Sequence, residues 1–170
     1  MPNWCDNEVV ITSDDPAVLQ KIMEIAPGEE TPFSMENFVP TPNELLEGEG
    51  WYDWRINNWG TKWDLAENVY IDQMGEGISI GYQTAWAPNI NFWAQFSKMY
   101  PVKISHRYFE EGMCFIGEAI IEDGSIDDYC VEIDEKIYKK AGALLDDDGN
   151  VYWDIDQNYN LYNAFPLRSY

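Results

Sequence analysis

Two stretches of this chain carry apolar residues at helical spacing. Each follows a run rich in β-branched residues, which restricts the fold to helices laid against a sheet. In residues 16–26, Val18, Ile22 and Ile25 recur with Leu19, Met23 and Ala26 as two adjacent apolar rows. Asp14-Asp15-Pro16 precedes them as a capping residue followed by proline at the first helical position. In residues 88–100, Trp93, Phe96 and Tyr100 share a side with Ile90 and Phe92 nearby, and the stripe stops before Pro101. Strand-like runs occupy residues 7–13, 68–72, 78–82, 102–109 and 114–121, and Met74-Gly75-Glu76-Gly77 supplies a hairpin turn between the second and third.

The order strand, helix, hairpin, helix, strand, strand predicts an α+β fold: a ferredoxin-like antiparallel sheet with both helices on one face and one extra strand. A single domain spans residues 1–170. Its core covers 1–121, interrupted by an irregular insertion at 29–58, where Pro32, Pro40, Pro42, Gly48 and Gly50 are mixed with Phe33 and Phe38. Residues 122–170 form an acidic extension in which Asp123-Gly124-Ser125 and Asp148-Gly149-Asn150 mark turns and 135–145 forms a hairpin or short helix. A two-residue Glu111-Gly112 turn would pair residues whose numbers sum to 223. His106 then faces Gly117 on the apolar, helix-covered side, and Cys114 faces away, which argues against a Cys–His nucleophile pair.

The formal charge of −21 is unevenly spread. Residues 1–50 carry net −10 and residues 110–170 net −11, while 51–109 are neutral. Such a balance excludes direct binding to nucleic-acid phosphates or anionic lipid and favours a basic protein partner. No run of 18 apolar residues could cross a membrane, and the opening residues lack the basic and apolar regions of a secretory signal, so a cytoplasmic protein is expected. Cys5, Cys114 and Cys130 form no close pair and read as reduced thiols. With His106 they lack the ligand spacing of a zinc site, Asp146-Asp147-Asp148-Gly149 fails the register of a calcium loop, and Gly75 and Gly77 are too little for a phosphate cradle; no cofactor is expected.

Two groups remain as candidate sites. Residues 110–135 hold ten acids and no base, and Glu110, Glu111, Asp127 and Asp128 are the expected acidic patch for a basic partner. The second group is Trp51, Trp54, Trp59 and Trp63, within thirteen residues, with Trp86 and Trp93 following. Those rings could form an aromatic wall for a ring or cation, with Asp53, Asp64 or Glu67 as polar anchors or acid–base groups. The structural reading is that they anchor the insertion, with Arg55 and Lys62 stacking on indoles at the rim. Neither group has a paired catalytic motif, so a non-enzymatic interaction protein is the leading expectation. A small-ligand binder or enzyme is the alternative.

Asn3-Trp4-Cys5-Asp6-Asn7, the block NWGTKWD at 58–64, Thr84-Ala85-Trp86-Ala87-Pro88 and YFEEGMCFIG at 108–117 together resemble the YubB-like family of plasmid and phage proteins. The likeness spans residues 3 to about 121. It implies a ferredoxin-like domain and a mobile-element origin, and it carries over no catalytic residue.

Overall fold

The computed structural model describes residues 3–65, 68–152 and 161–168. β1 (Trp4–Thr12) leads into α1 (Pro16–Ile25), a 3-10 turn (Met35–Asn37), α2 (Asn43–Leu46) and α3 (Gly50–Trp59). There follow β2 (Tyr70–Met74), β3 (Gly77–Ala85), α4 (Ile90–Met99), β4 (Lys103–Glu110), β5 (Phe115–Glu122) and β6 (Ser125–Glu132). α5 (Glu135–Ala141), the short β7 (Leu144–Leu145) and β8 (Val151–Tyr152) and a 3-10 turn at Leu161–Ala164 complete the described chain.

β1 to β6 make one antiparallel sheet in the order β2-β3-β1-β4-β5-β6. The first four strands with α1 and α4 reproduce the expected ferredoxin-like arrangement, and β5 and β6 extend it. Side chains of β1 alternate, so Val9 and Ile11 enter the core beneath the helices. Leu19 and Ile22 of α1, Phe92, Trp93 and Phe96 of α4, and Ile78, Ile80 and Ile104 of the sheet fill that core. The Asp15 carboxylate accepts from Ala17 N at 2.9 Å, so α1 starts where the sequence placed its cap. Its far end is held by Asn37, whose amide donates to Ile25 O and Pro27 O at 2.8 and 2.9 Å.

Three expectations change. Residues 50–59 of the insertion are not irregular but form α3, closed by Gly60 in the left-handed region, which returns its N–H to Arg55 O and Ile56 O. The β4–β5 register sums to 225, so His106 lies opposite Ala119 and Tyr108 opposite Gly117. The apolar facing is unchanged because a two-number shift preserves parity. The connection is four residues long, because the Glu110 carboxylate accepts from Gly112 N and Met113 N at 2.7 and 2.5 Å and holds the chain open. Cys114 therefore sits exposed in that loop at φ 56 rather than on the sheet.

The second face of the sheet is covered only in part. Phe109, Ile116 and Val131 share that face on β4, β5 and β6, and α5 with the 161–164 turn packs on them through Ile137, Ala141, Leu161 and Ala164. Over β2, β3 and β1 no helix among the described residues packs on this face, and Asp6, Glu8, Tyr70, Gly81, Gln83 and Arg107, with Tyr162 at one side, line a trough of about 660 Å³. β6 adds to β5 through Asp123-Gly124, both at positive φ (48° and 74°), the conformation a two-residue hairpin turn requires. No helix among the described residues is long and apolar enough to cross a membrane.

Candidate functional site

The structure divides the tryptophan block in two. Trp59 of α3 is fully buried, its indole donating to Val39 O at 2.9 Å, and Trp54 packs edge-on against it. The Arg55 guanidinium lies over Trp59 and Trp51, at 4.5 and 5.4 Å from the ring centroids, and bridges to Glu36 and Thr41. Trp54 and Trp59 fasten the insertion to the core and Arg55 stacks on indoles, as in the structural reading, while Trp51 packs on Tyr52 and Arg55. Asp53 is exposed on the same helix, and Glu67 lies outside the described residues.

Trp63 does something else. Gly60 ends α3, the chain turns, and Trp63 emerges on the surface beside Trp4, the two ring centroids 6.1 Å apart. Trp4 is brought there by sheet pairing, since it stands opposite Ala85 at the end of β3. The next residue, Trp86, completes the group. Trp4, Trp63 and Trp86 are 45%, 42% and 43% exposed. Three large indoles left to solvent at one end of a sheet are informative in a way that scattered single apolar residues are not.

Trp86 is also held in an uncommon backbone state. Its φ is 69°, and Ala87 N donates to Ala85 O at 2.9 Å across it, which makes a tight three-residue turn of the strained, positive-φ kind. The strain is fixed from below. Thr84 Oγ1 donates to Ala87 O at 2.7 Å and accepts from Asn7 Nδ2 at 2.9 Å. Because Asn7 Nδ2 also donates to Cys5 O, its Oδ1 is the acceptor facing His106 Nε2 at 2.8 Å, and that nitrogen carries the imidazole proton. A buried polar chain thus runs from the lone histidine of β4 through β1 to the turn that presents Trp86. Burial pushes the His106 pKa down to about 3, so the ring is neutral and cannot act as a general acid at neutral pH. Its Nδ1 has no hydrogen-bond partner among the described residues. Burial likewise raises the Cys5 thiol far above its ordinary range, which makes it inert.

Lys62 lies across the group. Its ammonium is 3.9 Å from the Trp63 centroid and 4.1 Å from that of Trp86, so one cation is sandwiched between two indoles. Asp64, the expected polar anchor, faces the protein instead: it accepts from Ser34 Oγ, Met35 N and Leu65 N at 2.6 to 2.8 Å and caps the 35–37 turn. It also borders a cleft of about 370 Å³ formed with Trp4, Trp63, Asn68, Gln83 and Thr84. Asn68 and Gln83 line the open trough of the sheet as well, so cleft and trough share a wall.

The four acids expected to form a patch are not brought together. Glu110 is 2% exposed and committed to its turn, and Glu111 stands in that turn. Asp127 and Asp128, adjacent on β6, point to opposite faces of the sheet. Arg168 binds Asp127 through two hydrogen bonds, and Tyr108 donates to Asp128 at 2.7 Å. A surface concavity of about 890 Å³ around Thr12, Lys98, Lys103 and Glu122 lies at the other end of β1 and contains none of the candidate residues. Among the described residues no three His, Cys, Asp or Glu side chains cluster as a metal site would require.

A family model described as a ferredoxin-like domain in Api92-like protein matches residues 58–148. The chain belongs to this family. The matched region of the Api92-like domain begins in the block that carries Trp63 and runs past residue 121, so β6 and α5 fall inside it. A solved structure of a protein Api92 from Yersinia pseudotuberculosis is similar at 15% identity with a TM-score of 0.45, over 56% of this chain and 39% of that one. The chain therefore corresponds to well under half of that protein's length. No curated protein matches.

The sequence missed Trp4 as a member of the site. Its only signal was the presence of tryptophan in each of the blocks at 3–7, 58–64 and 84–88, and these blocks are the segments that converge here.

Proposed function

We propose that this is a non-enzymatic binding protein that docks a basic partner protein on its exposed tryptophan end. The observation that carries the reading is the meeting of Trp4, Trp63 and Trp86, from three distant segments, on the surface, with one of them on a strained turn. A turn of this kind costs about 1–3 kcal/mol, and such costs persist where surrounding structure enforces them for use. The net charge of −21 complements a basic partner, acting as a diffuse field that speeds encounter rather than as a local patch of Glu110, Glu111, Asp127 and Asp128. Among the described residues no acid–base pair accompanies the rings: Asp64 is spent on backbone N–H groups and His106 is neutral and buried.

The resemblance of the same blocks to the YubB-like family supports a plasmid or phage origin, with the cytoplasm of a bacterial host as the place of action. A second reading, a small polar ring held in the cleft beside Trp4 and Trp63 by the amides of Asn68 and Gln83, is favoured by the shape of that cleft.

The test is capture of basic proteins from a bacterial lysate by the immobilised protein and by its Trp63→Ala/Trp86→Ala variant. Capture should fall steeply as salt passes about 0.15 M, where the Debye length is about 8 Å, and should be lost in the variant. Equal capture by both forms would refute the reading.

A further inference from the structure

The most unusual cation of the chain is Lys62. In a protein with 31 acids and 10 bases, its ammonium makes no ion pair or hydrogen bond among the described residues and is stabilised instead by two indole faces. Arg55 contrasts with it: that guanidinium also stacks on indoles, but it bonds Thr41 and Glu36 and is built into the insertion. The Lys62 backbone is fixed, its carbonyl accepting from Arg55 at 3.4 Å, whereas its four-carbon stem ends between two indoles that are each more than two fifths exposed.

We propose that the slot between Trp63 and Trp86 is a binding site for an alkylammonium or guanidinium side chain of the basic partner, and that Lys62 is its resident occupant, displaced when the partner docks. This rests on the reading of the tryptophan end as a docking surface and adds the chemistry it selects. The spacing already accommodates an ammonium, with both centroids near 4 Å from one nitrogen. Indole faces attract cations without needing a carboxylate, so the site discriminates charge from mere apolarity. Trp4, its ring tilted against that of Trp63, borders the neighbouring cleft, where the rest of a partner side chain can lie. The surrounding negative charge favours delivery of a cation.

The probe is choline, with its neutral isostere 3,3-dimethylbutan-1-ol as control, followed through the indole N–H resonances of Trp63 and Trp86. Lys62→Ala vacates the slot, so choline should bind the variant about ten-fold more tightly than it binds the native protein. Adding Trp86→Ala should abolish that binding. Lys62→Gln, which is also neutral and shorter, should reproduce the gain should Lys62→Ala not fold. The proposal is overturned if choline shifts neither indole in the folded Lys62 variants, or if the neutral alcohol shifts them equally, which would mark an apolar patch only. Either result leaves intact a loss of protein capture in Trp63→Ala/Trp86→Ala, so failure of the slot and failure of the docking surface are separable.

Discussion

Lowering the pH should destabilise this protein through His106, and the chain is well suited to measuring it because it contains one histidine. In the unfolded chain the imidazole titrates near its ordinary 6.5, whereas in the fold burial holds it down to about 3. Between those values the unfolded state binds a proton that the native state refuses. Stability is therefore fully present above pH 6.5 and is lost as pH falls towards 3. From pH 7 to pH 5.5 the unfolded histidine goes from about one quarter to about nine tenths protonated, which lowers the unfolding free energy by about 1.2 kcal/mol. For a chain of this size that is a drop of about 3 °C in Tm. Any effect of the carboxylates over this window is common to a His106→Leu variant, which lacks the histidine titration. The measurement is urea unfolding followed by circular dichroism for both proteins at four pH values. Their difference should shrink by about 1.2 kcal/mol as the pH falls, because only the native protein loses stability through the histidine. Parallel profiles would refute the reasoning, since they would mean that His106 takes up a proton in the fold as readily as in the unfolded chain.

Further outcomes are expected. Gly117→Ala places a Cβ 2.2 Å from the ring tip of Tyr108, itself buried and bonded to Asp128, and should cost about 1–3 kcal/mol in the same unfolding assay. Trp59→Ala removes a buried ring, its bond to Val39 O and the platform under Arg55, for a loss of about 3–5 kcal/mol. Glu110→Ala frees the N–H groups of Gly112 and Met113 and should lower stability by about 1–2 kcal/mol, with faster amide exchange confined to the β4–β5 loop. Thr84→Val releases the turn beneath Trp86, so the Trp86 indole resonance should broaden while the unfolding free energy falls by only about 1–2 kcal/mol.

Much of the sheet is written in local chemistry. Alternating apolar residues fix which side of β1, β4 and β5 faces the helices, and Asp15-Pro16 starts α1 at the expected residue. The β4–β5 register is not written that way, because it depends on a Glu110 side chain binding two backbone N–H groups rather than on any turn residue. α3 was hidden for a similar reason. Arg55 interrupts the stripe of Trp51, Trp54 and Trp59 as a polar letter, yet its guanidinium packs on two of those rings and completes the buried side. The candidate site lay furthest from view. Trp4 meets Trp63 only because β1 pairs with β3, and no local pattern around either residue encodes that meeting. The acidic patch failed for the opposite reason: proximity in sequence suggested proximity in space, while strand alternation sends Asp127 and Asp128 to opposite sides.

The position of β1 at the centre of the sheet bears on the chain's biosynthesis. Its two neighbours are β3 and β4, so Trp4 waits for Ala85 and Asp6 waits for Phe109. At a translation rate of about 5–20 residues per second, several seconds pass before the ribosome has produced either partner. During that interval a nine-residue strand containing Val9, Val10 and Ile11 has both hydrogen-bonding edges unmet. Asp6 and Glu8, which in the finished sheet accept from Gln83 of β3 and pair with Arg107 of β4, have neither partner during that interval, and two like charges two residues apart on the strand oppose its pairing with another copy emerging nearby. A ribosome stalled before residue 103 would hold a chain whose central strand lacks one whole side of its ladder, and such truncated products should be cleared by proteolysis far faster than chains that reach β4.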